Sequence, residues 1–296
     1  MQAKSFSRFG AGLTALAACA LIMGAAVSVR AESQGVAPGE GDQWDRARAE
    51  VQGQLDTWSN IKESLFPGRT IEDGKDVISL ETPYRALDAS VVPISITAMK
   101  PQTAGQYIKD LYLIIDENPS PVAAVFHLTP DTGKADISTR VRVNKYTNVR
   151  AVAETNDGKL YMVANFVKAT GGCSAPALND KEAAMARLGK MKFKMLKGGG
   201  NELSEAQLLI SHPNYSGLQF DQISRHEIPA DFVKTLEVSV GDKKVFSADT
   251  DISISEDPSF IFHFVDPGSG EIKAMVTDSE GRKFEHSWPV SAKVEG

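Results

Sequence analysis

The residue best suited to covalent chemistry in this 296-residue sequence is Cys173. Gly171 and Gly172 precede it, and Ser174 follows it. Glycine has no Cβ and adopts backbone conformations that are closed to other residues, so the sequence predicts a bendable segment with few side chains around the thiol. A thiol that reacts with other molecules needs exposure and clearance. We therefore expect Cys173 to be exposed, on an arm formed by these three neighbours.

The second cysteine, Cys19, lies in an N-terminal targeting segment. Lys4 and Arg8 give this segment a basic start, an Ala-rich apolar run follows, and Val29 and Ala31 occupy the −3 and −1 positions of a cleavage site. This order is typical of a secretory signal peptide, so we predict residues 1–31 to be removed, with export to the periplasm and no stable membrane insertion afterwards. Retention as a membrane anchor and lipoprotein processing at Cys19 are the alternatives.

Removal of residues 1–31 leaves Cys173 without an intramolecular disulfide partner. An unpaired cysteine in an oxidising compartment indicates a reactive thiol or intermolecular pairing, and the alternative is a small buried hydrophobic side chain. The removed segment carries three positive charges and no acidic residue, so the formal net charge changes from −6 to −9. This charge argues against nucleic acid as a partner.

The sequence contains no established catalytic, metal-binding or cofactor-binding motif. The five histidines are scattered without the spacing of a metal site, and no phosphate-binding loop or dinucleotide fingerprint is present. We therefore predict no catalytic residue, no cofactor and no metal. His212 and Lys168 are candidates to support the thiol, and a thiol enzyme would need the ring of His212 or His127 within hydrogen-bond reach of Cys173.

The pattern of apolar residues predicts an all-β protein with a short helix near the N terminus. Short alternating strands with turns at close spacing are typical of antiparallel β-sandwiches. Asn156-Asp157-Gly158 between two alternating strands predicts a β-hairpin. Alternation over residues 137–143 places Arg140 and Arg142 on the solvent face of a strand.

The pattern also suggests where the mature chain divides. Alternating strands give way to a short helical pattern near residue 181 and then resume. We place a helical segment at residues 32–75, a first sandwich that carries the cysteine at 76–178, a linker at 179–190 and a second sandwich at 191–296.

Two stretches of the sequence are similar to the two subunits of the SoxYZ sulfur carrier. Residues 91–176 resemble SoxY, the thiol-bearing subunit, in Val92–Thr97, Leu111–Phe126, Ala135–Val143 and the glycine-flanked Cys173. Residues 191–294 resemble SoxZ in Leu209–Pro213, Gly217-Leu218, Ile228-Pro229, Val245–Asp249, Ser259–Phe262 and Asp278–Gly281. In this order the sequence is similar to the fused SoxYZ-like carriers associated with quinoprotein dehydrogenases.

The resemblance implies two immunoglobulin-like β-sandwich domains in tandem, with a SoxY–SoxZ interface inside one chain. It implies a periplasmic carrier rather than an enzyme, in which Cys173 holds sulfur intermediates such as thiosulfate-derived groups. The implied partners are sulfur-oxidising enzymes and c-type cytochromes, with a PQQ-dependent dehydrogenase as a further candidate. The alternative is a noncovalent partner or chaperone of an exported quinoprotein dehydrogenase, in which Cys173 has no role.

The cysteine segment departs from the SoxY pattern in one respect. SoxY carries its cysteine in Gly-Gly-Cys-Gly-Gly at the C terminus, whereas Ser174-Ala175-Pro176 follow Cys173 here, within the 123 residues that lie after it. The arm is therefore fixed at both ends, and Pro176 stiffens its exit. We expect it to reach less far than a free C-terminal arm.

Overall fold

The computed structural model describes residues 40–177, 181–198, 203–221 and 224–290. The predicted signal peptide, with Cys19 and the cleavage position after Ala31, lies outside these residues. No helix within the described ranges combines the length and the apolar character that a membrane span requires.

Strands are the predominant regular secondary structure of the described residues. Helix α1 (Glu40–Leu65) precedes eight strands: β1 (Ile71–Asp73), β2 (Ile78–Glu81), β3 (Val92–Ala98), β4 (Ile108–Ile115), β5 (Val122–Leu128), β6 (Ile137–Val141), β7 (Thr147–Thr155) and β8 (Leu160–Val167). A 3-10 turn (Pro130–Thr132) separates β5 from β6. Helix α2 (Lys181–Ala186) then precedes seven strands: β9 (Met191–Lys197), β10 (Leu203–Ile210), β11 (Val233–Val240), β12 (Lys243–Thr250), β13 (Ser259–Val265), β14 (Glu271–Asp278) and β15 (Lys283–Pro289). The predicted all-β class with an N-terminal helix is confirmed.

The hairpin predicted from Asn156-Asp157-Gly158 joins β7 to β8. Gly158 has a φ angle of +84°, in the region that glycine tolerates best. The cross-strand pairs extend to Val167, six residues before Cys173. The hairpin therefore fixes the start of the segment that carries the thiol.

The strands form two sheets, and each sheet contains strands from both halves of the chain. The nine-stranded sheet has the order β1-β8-β7-β4-β5-β12-β11-β14-β15, and the six-stranded sheet has the order β2-β3-β6-β13-β10-β9. The N-terminal half (β1–β8) meets the C-terminal half (β9–β15) in two antiparallel pairs, β5 with β12 and β6 with β13. We call these two pairs the seam.

The two sheets face each other over one hydrophobic core that is continuous across the seam. Phe246 of β12 contacts Phe262 of β13 with ring centroids 5.0 Å apart, and Phe126 of β5 lies 6.0 Å from Phe260 of β13. The described residues from Ala47 onward form one compact unit. The boundaries that we place at 76–178 and 191–296 stay predictions.

A smaller apolar cluster lies under the end of α1. Trp58 and Phe66 pack there against residues of β4, β7 and β8. The ring of Phe66 lies 4.9 Å from that of Tyr112 in an edge contact, and the guanidinium of Arg150 lies 4.2 Å from the centre of the Trp58 ring. This cluster fastens the helix to the outer side of the nine-stranded sheet.

Candidate functional site

Cys173 lies on a short segment after β8, residues 171–175, that we call the cysteine arm. The first two amides of the arm donate hydrogen bonds to carbonyls of the segment after β6: Gly171 N to Asn144 O (2.9 Å) and Gly172 N to Val143 O (3.0 Å). The arm therefore runs along a neighbouring segment of the protein and does not project freely from the strand.

The two glycines allow a close approach of backbones. Gly171 has a φ angle of +76°. A Cβ atom at Gly172 would lie 2.0 Å from Ala89 O and 2.7 Å from Val143 O, and both are backbone atoms that cannot rotate away. Position 172 therefore needs glycine because the backbones pack tightly there. The sequence predicts a bendable segment with few side chains around it. That expectation is wrong.

Two side chains of the C-terminal half hold the arm. Ser216 Oγ donates a hydrogen bond to the carbonyl oxygen of Cys173. Gln219 Nε2 donates to Ala175 O at 2.9 Å, and Gln219 Oε1 accepts from Ser216 N at 3.1 Å. We call Ser216 and Gln219 the clamp. The arm comes from one half of the chain and the clamp from the other, so the thiol lies where the halves meet.

The thiol is fully buried. Cys173 is 0% exposed, and burial raises the pKa of its thiol to about 11, although the charge of Arg142 acts to lower it. The predicted exposure of Cys173 is therefore wrong for this conformation, because the C-terminal half covers the arm. At neutral pH the side chain is a protonated thiol, which is a weak nucleophile.

The position of Arg142 differs most from the prediction, because the alternation of the strand predicts a solvent-facing side chain. It is 2% exposed. Strand β6 ends at Val141, and beyond it Arg142 N bonds to Ser253 O at 2.8 Å, so the alternation of the strand no longer sets the direction of the side chain. Its neighbour in the predicted pattern, Arg140, is only partly buried, and its Nη2 donates to Asp257 O at 2.8 Å.

The guanidinium of Arg142 is held by carbonyls alone. Nη1 donates to Ile254 O at 2.5 Å and lies 3.4 Å from Ile252 O, while Nε is buried without a hydrogen-bond partner. Within the described ranges, no carboxylate forms an ion pair with Arg142. Desolvation lowers its pKa, but an arginine remains protonated in proteins. The site therefore contains a buried positive charge beside a neutral thiol.

The structure does not bring Lys168 to the thiol. Its backbone bonds to the segment at Tyr84 and Ala86, and its Nζ lies 4.9 Å from the centre of the Tyr84 ring. Ser174 is exposed, and its hydroxyl donates to Gly171 O at 3.3 Å. Lys168 thus contributes a cation–π contact at the surface, and Ser174 closes the turn of the arm.

His212 is buried, but both of its ring nitrogens face other groups. Nδ1 accepts a hydrogen bond from Asn214 N at 3.0 Å, and Nε2 lies 3.5 Å from Asp278 Oδ2 and 3.6 Å from Asp231 Oδ1. Burial lowers the pKa of His212. Among the described residues, no histidine hydrogen-bonds to Cys173. The geometry therefore gives no support to a Cys–His catalytic pair.

His212, Asp231 and Asp278 have the spacing of a metal site, but their chemistry does not fit one. Because Nδ1 of the neutral ring accepts the Asn214 amide proton, Nε2 must carry the remaining proton and has no lone pair for a metal. Arg282 already pairs with both carboxylates. This cluster instead holds the loop that leads to Ser216.

Sequence reasoning missed three residues of this site: Arg142, Ser216 and Gln219. Ser216 and Gln219 lie 43 and 44 positions from the carbonyls that they bind. No local pattern connects residues at such separation. Only the His-Pro-Asn turn that begins at His212 marks this loop in the sequence as structurally unusual.

Two family models match the chain. The model described as "Sulfur oxidation protein SoxY" matches residues 62–173, and the model described as "Sulphur oxidation protein SoxZ" matches residues 196–289. The matched ranges do not overlap, and together they contain 206 of the 296 residues. No curated protein sequence is similar enough to count as a match.

Three solved structures illustrate the structural likeness to known proteins. The sulfur carrier protein SoxY from Chlorobium limicola f thiosulfatophilum is 22% identical, with 41% of this chain and 98% of that chain covered and a TM-score of 0.35. A superoxide reductase (neelaredoxin) from Ignicoccus hospitalis is 15% identical, with 31% and 79% covered and a TM-score of 0.28. A β-glycosidase from Bacteroides vulgatus is 9% identical, with 71% and 24% covered and a TM-score of 0.23. At these scores the likenesses carry no argument.

Proposed function

Because the chain belongs to the SoxYZ family of sulfur carriers, with SoxY and SoxZ fused in one polypeptide, we propose that it is a periplasmic protein that carries sulfur intermediates covalently on Cys173. The observation that supports this assignment is the position of the thiol. The SoxY match ends at Cys173, which is the free cysteine of the described residues and lies where the two halves meet. The protein acts as an acceptor, and partner enzymes do the chemistry on its cargo.

Loading with thiosulfate is an oxidation. The Cys173 thiol loses its proton, its sulfur forms a bond to the outer sulfur of thiosulfate, and two electrons leave to a c-type cytochrome partner. The product is a cysteine S-thiosulfonate with one negative charge. A covalent bond suits this cargo because a small sulfur anion has too few atoms for tight noncovalent capture.

The buried thiol requires the arm to open before loading. The clamp contributes two hydrogen bonds to neutral carbonyls, each of which stabilises the closed arm by about 1 kcal/mol. In the closed arm the thiol pKa of about 11 keeps the sulfur unreactive. Release into water would return the pKa toward its ordinary value of 9.0 and increase the thiolate fraction about a hundredfold at neutral pH. Closure thus protects the thiol in an oxidising compartment.

A second function is favoured by the same burial. A cysteine that is 0% exposed also suits a noncovalent partner of an exported quinoprotein dehydrogenase, in which Cys173 is a small core side chain. That function would require a stable complex with the dehydrogenase, and the complex would be unaffected by Cys173→Ser.

The intact mass of the protein, taken from the periplasm without reductant, tests the proposal. We expect a mass increase of sulfur or sulfur–oxygen composition that maps to Cys173, disappears on reduction and is absent from Cys173→Ser. The same spectrum reports whether the chain starts after Ala31. An unmodified thiol in cells that are oxidising thiosulfate would contradict the carrier function and favour the dehydrogenase partner. Labelling of the denatured protein verifies that the thiol is intact.

A further inference from the structure

Arg142 is a buried cation that forms no ion pair with a carboxylate of the described residues, although the charge of the buried Glu256 acts on it and tends to raise its pKa. Its side chain is 2% exposed, its Nε has no hydrogen-bond partner, and its other contacts are neutral carbonyls. Taking a charge out of water costs several kcal/mol unless an opposite charge or a full set of hydrogen bonds replaces the water. The closed, unloaded arm therefore leaves this guanidinium incompletely compensated.

The cysteine arm, which carries the thiol, lies beside Arg142. Gly172 N donates a hydrogen bond to Val143 O at 3.0 Å. Gly172 directly precedes Cys173 in the sequence, and Val143 directly follows Arg142. The charge of Arg142 also reaches the sulfur, since it acts to lower the pKa of the Cys173 thiol. A negative charge placed on this thiol would thus form beside a guanidinium that has an unpaired Nε and no ion pair with a carboxylate of the described residues.

We propose that Arg142 is the counter-ion of the loaded carrier and binds the anionic end of the group attached to Cys173. This inference rests on the proposed function and specifies its cargo as a class: sulfur oxoanions and other anionic adducts are held, and neutral adducts are not. The unpaired Nε and the planar guanidinium provide donors that match the oxygens of a sulfonate. A loaded arm would then satisfy the buried cation that the empty arm leaves unsatisfied.

Two reagents make adducts that differ in charge. Tetrathionate converts the thiol to an S-thiosulfonate: the new bond joins Cys173 Sγ to an inner sulfur, the central sulfur–sulfur bond breaks, and thiosulfate and a proton leave. Methyl methanethiosulfonate gives a neutral S-methylthio adduct and releases methanesulfinic acid. Both adducts are attached through a sulfur–sulfur bond to Sγ, which dithiothreitol reduces with release of thiosulfate or methanethiol, so one assay follows both.

The test compares the rates at which dithiothreitol releases the two adducts from the folded protein after the intact mass shows complete modification. In the wild type we expect the anionic adduct to be protected, because Arg142 keeps it buried. Arg142→Met should increase the ratio of anionic to neutral release rates by about tenfold, since close charge pairs contribute at least this factor. Arg140→Met is the matched control, with the same substitution two residues away, and should leave the ratio unchanged.

Arg142→Lys keeps the charge and serves as the second variant if Arg142→Met does not fold. It should retain part of the protection of the anionic adduct. An unchanged ratio in Arg142→Met, or equal loss in Arg140→Met and Arg142→Met, would overturn the inference. If Arg142→Met does not fold, Arg142→Lys decides the question. The inference is then overturned if dithiothreitol releases the anionic adduct from Arg142→Lys as fast as it reduces a solvent-exposed peptide disulfide. Because both adducts are made chemically, these results do not depend on whether the cell loads Cys173, which the intact mass tests separately.

Discussion

Arg142 and Arg150 lie eight positions apart, and both are buried, but they are compensated in opposite ways. Arg150, 8% exposed, makes hydrogen bonds of 2.9 Å from Nε and 2.8 Å from Nη2 to the carboxylate of Asp116, whose side chain is fully buried. Its guanidinium also stacks on Trp58. Arg142 has carbonyl partners and a protonated thiol as its neighbour.

The difference indicates that the charge of Arg150 stabilises the fold, whereas the charge of Arg142 is available to bind an anionic group. Burial raises the pKa of Asp116, while its bonds to Arg150 act to lower it, and the bidentate geometry is that of an ion pair. Two acids act on Arg142: Cys173, whose thiol stays neutral at physiological pH, and the buried Glu256, whose carboxylate lies 4.0 Å from Arg187 Nη2 and forms an ion pair there. One arginine thus has an ion-pair partner within the fold itself, and the other gains one only when the neighbouring sulfur becomes, or carries, an anion.

The largest effect that we predict concerns the compensated arginine. Arg150→Met leaves the buried Asp116 carboxylate without its partner and should destabilise the protein by about 3–5 kcal/mol. Urea unfolding of the variant and the wild type measures this difference. The double variant Arg150→Met with Asp116→Asn is the control, and it should recover most of the loss. A loss below about 1 kcal/mol in the single variant would show that the pair is not structural.

The second prediction concerns the acid beside Arg142. The folded pKa of Cys173 is about 11, above the ordinary value of 9.0, so the folded state holds its proton more tightly than the unfolded state. This contribution to stability is complete below about pH 9, and about 3 kcal/mol of it is lost as pH rises to about 11. Unfolding of wild type and Cys173→Ser over this pH range measures it, since other groups titrate equally in both. Parallel curves would contradict the buried thiol.

The sequence predicts the strands better than it predicts the site. Alternating apolar residues and the turn at 156–158 were sufficient for the all-β class and for the β7–β8 hairpin, because both depend on neighbouring residues. The glycine-flanked Cys173 was also found as a candidate. The sharing of both sheets across the seam depends on pairing between distant strands, and no local pattern specifies it.

The errors at the site have the same cause. Exposure of Cys173 was inferred from small neighbours, but small neighbours also permit close packing, as the 2.0 Å approach at Gly172 shows. The solvent face assigned to Arg142 assumed that alternation continues to residue 143. Pairing of β6 with β13 involves only Ile137 and Ser138, and β6 itself ends at Val141. Which direction a side chain takes beyond a strand end is decided by tertiary contacts.

The third prediction tests how closely the arm must approach Arg142. Gly172→Ala places a methyl group against two backbone carbonyls and should destabilise the protein by about 1–3 kcal/mol. The displaced arm should also make Cys173 react faster with a thiol reagent at pH 8. Gly105→Ala is the matched control, because no atom lies within 4 Å of its new methyl group, and it should change neither quantity. Equal behaviour of the two variants would mean that the arm is loosely held.

The smallest effect should come from Arg142→Met in the unmodified protein, with a change in stability within about 1 kcal/mol of zero. Methionine replaces the buried stem, the uncompensated charge disappears, and no ion-paired carboxylate is left behind. The carbonyl of Ile254 also keeps a partner, since Asn214 Nδ2 donates to it at 3.2 Å. Urea unfolding alongside Arg150→Met measures the contrast directly. A loss of about 3 kcal/mol or more in the free energy of unfolding would mean that Arg142, like Arg150, stabilises the fold. A small change in the unmodified protein, together with a large change in adduct protection, would show that the charge of Arg142 stabilises the loaded state.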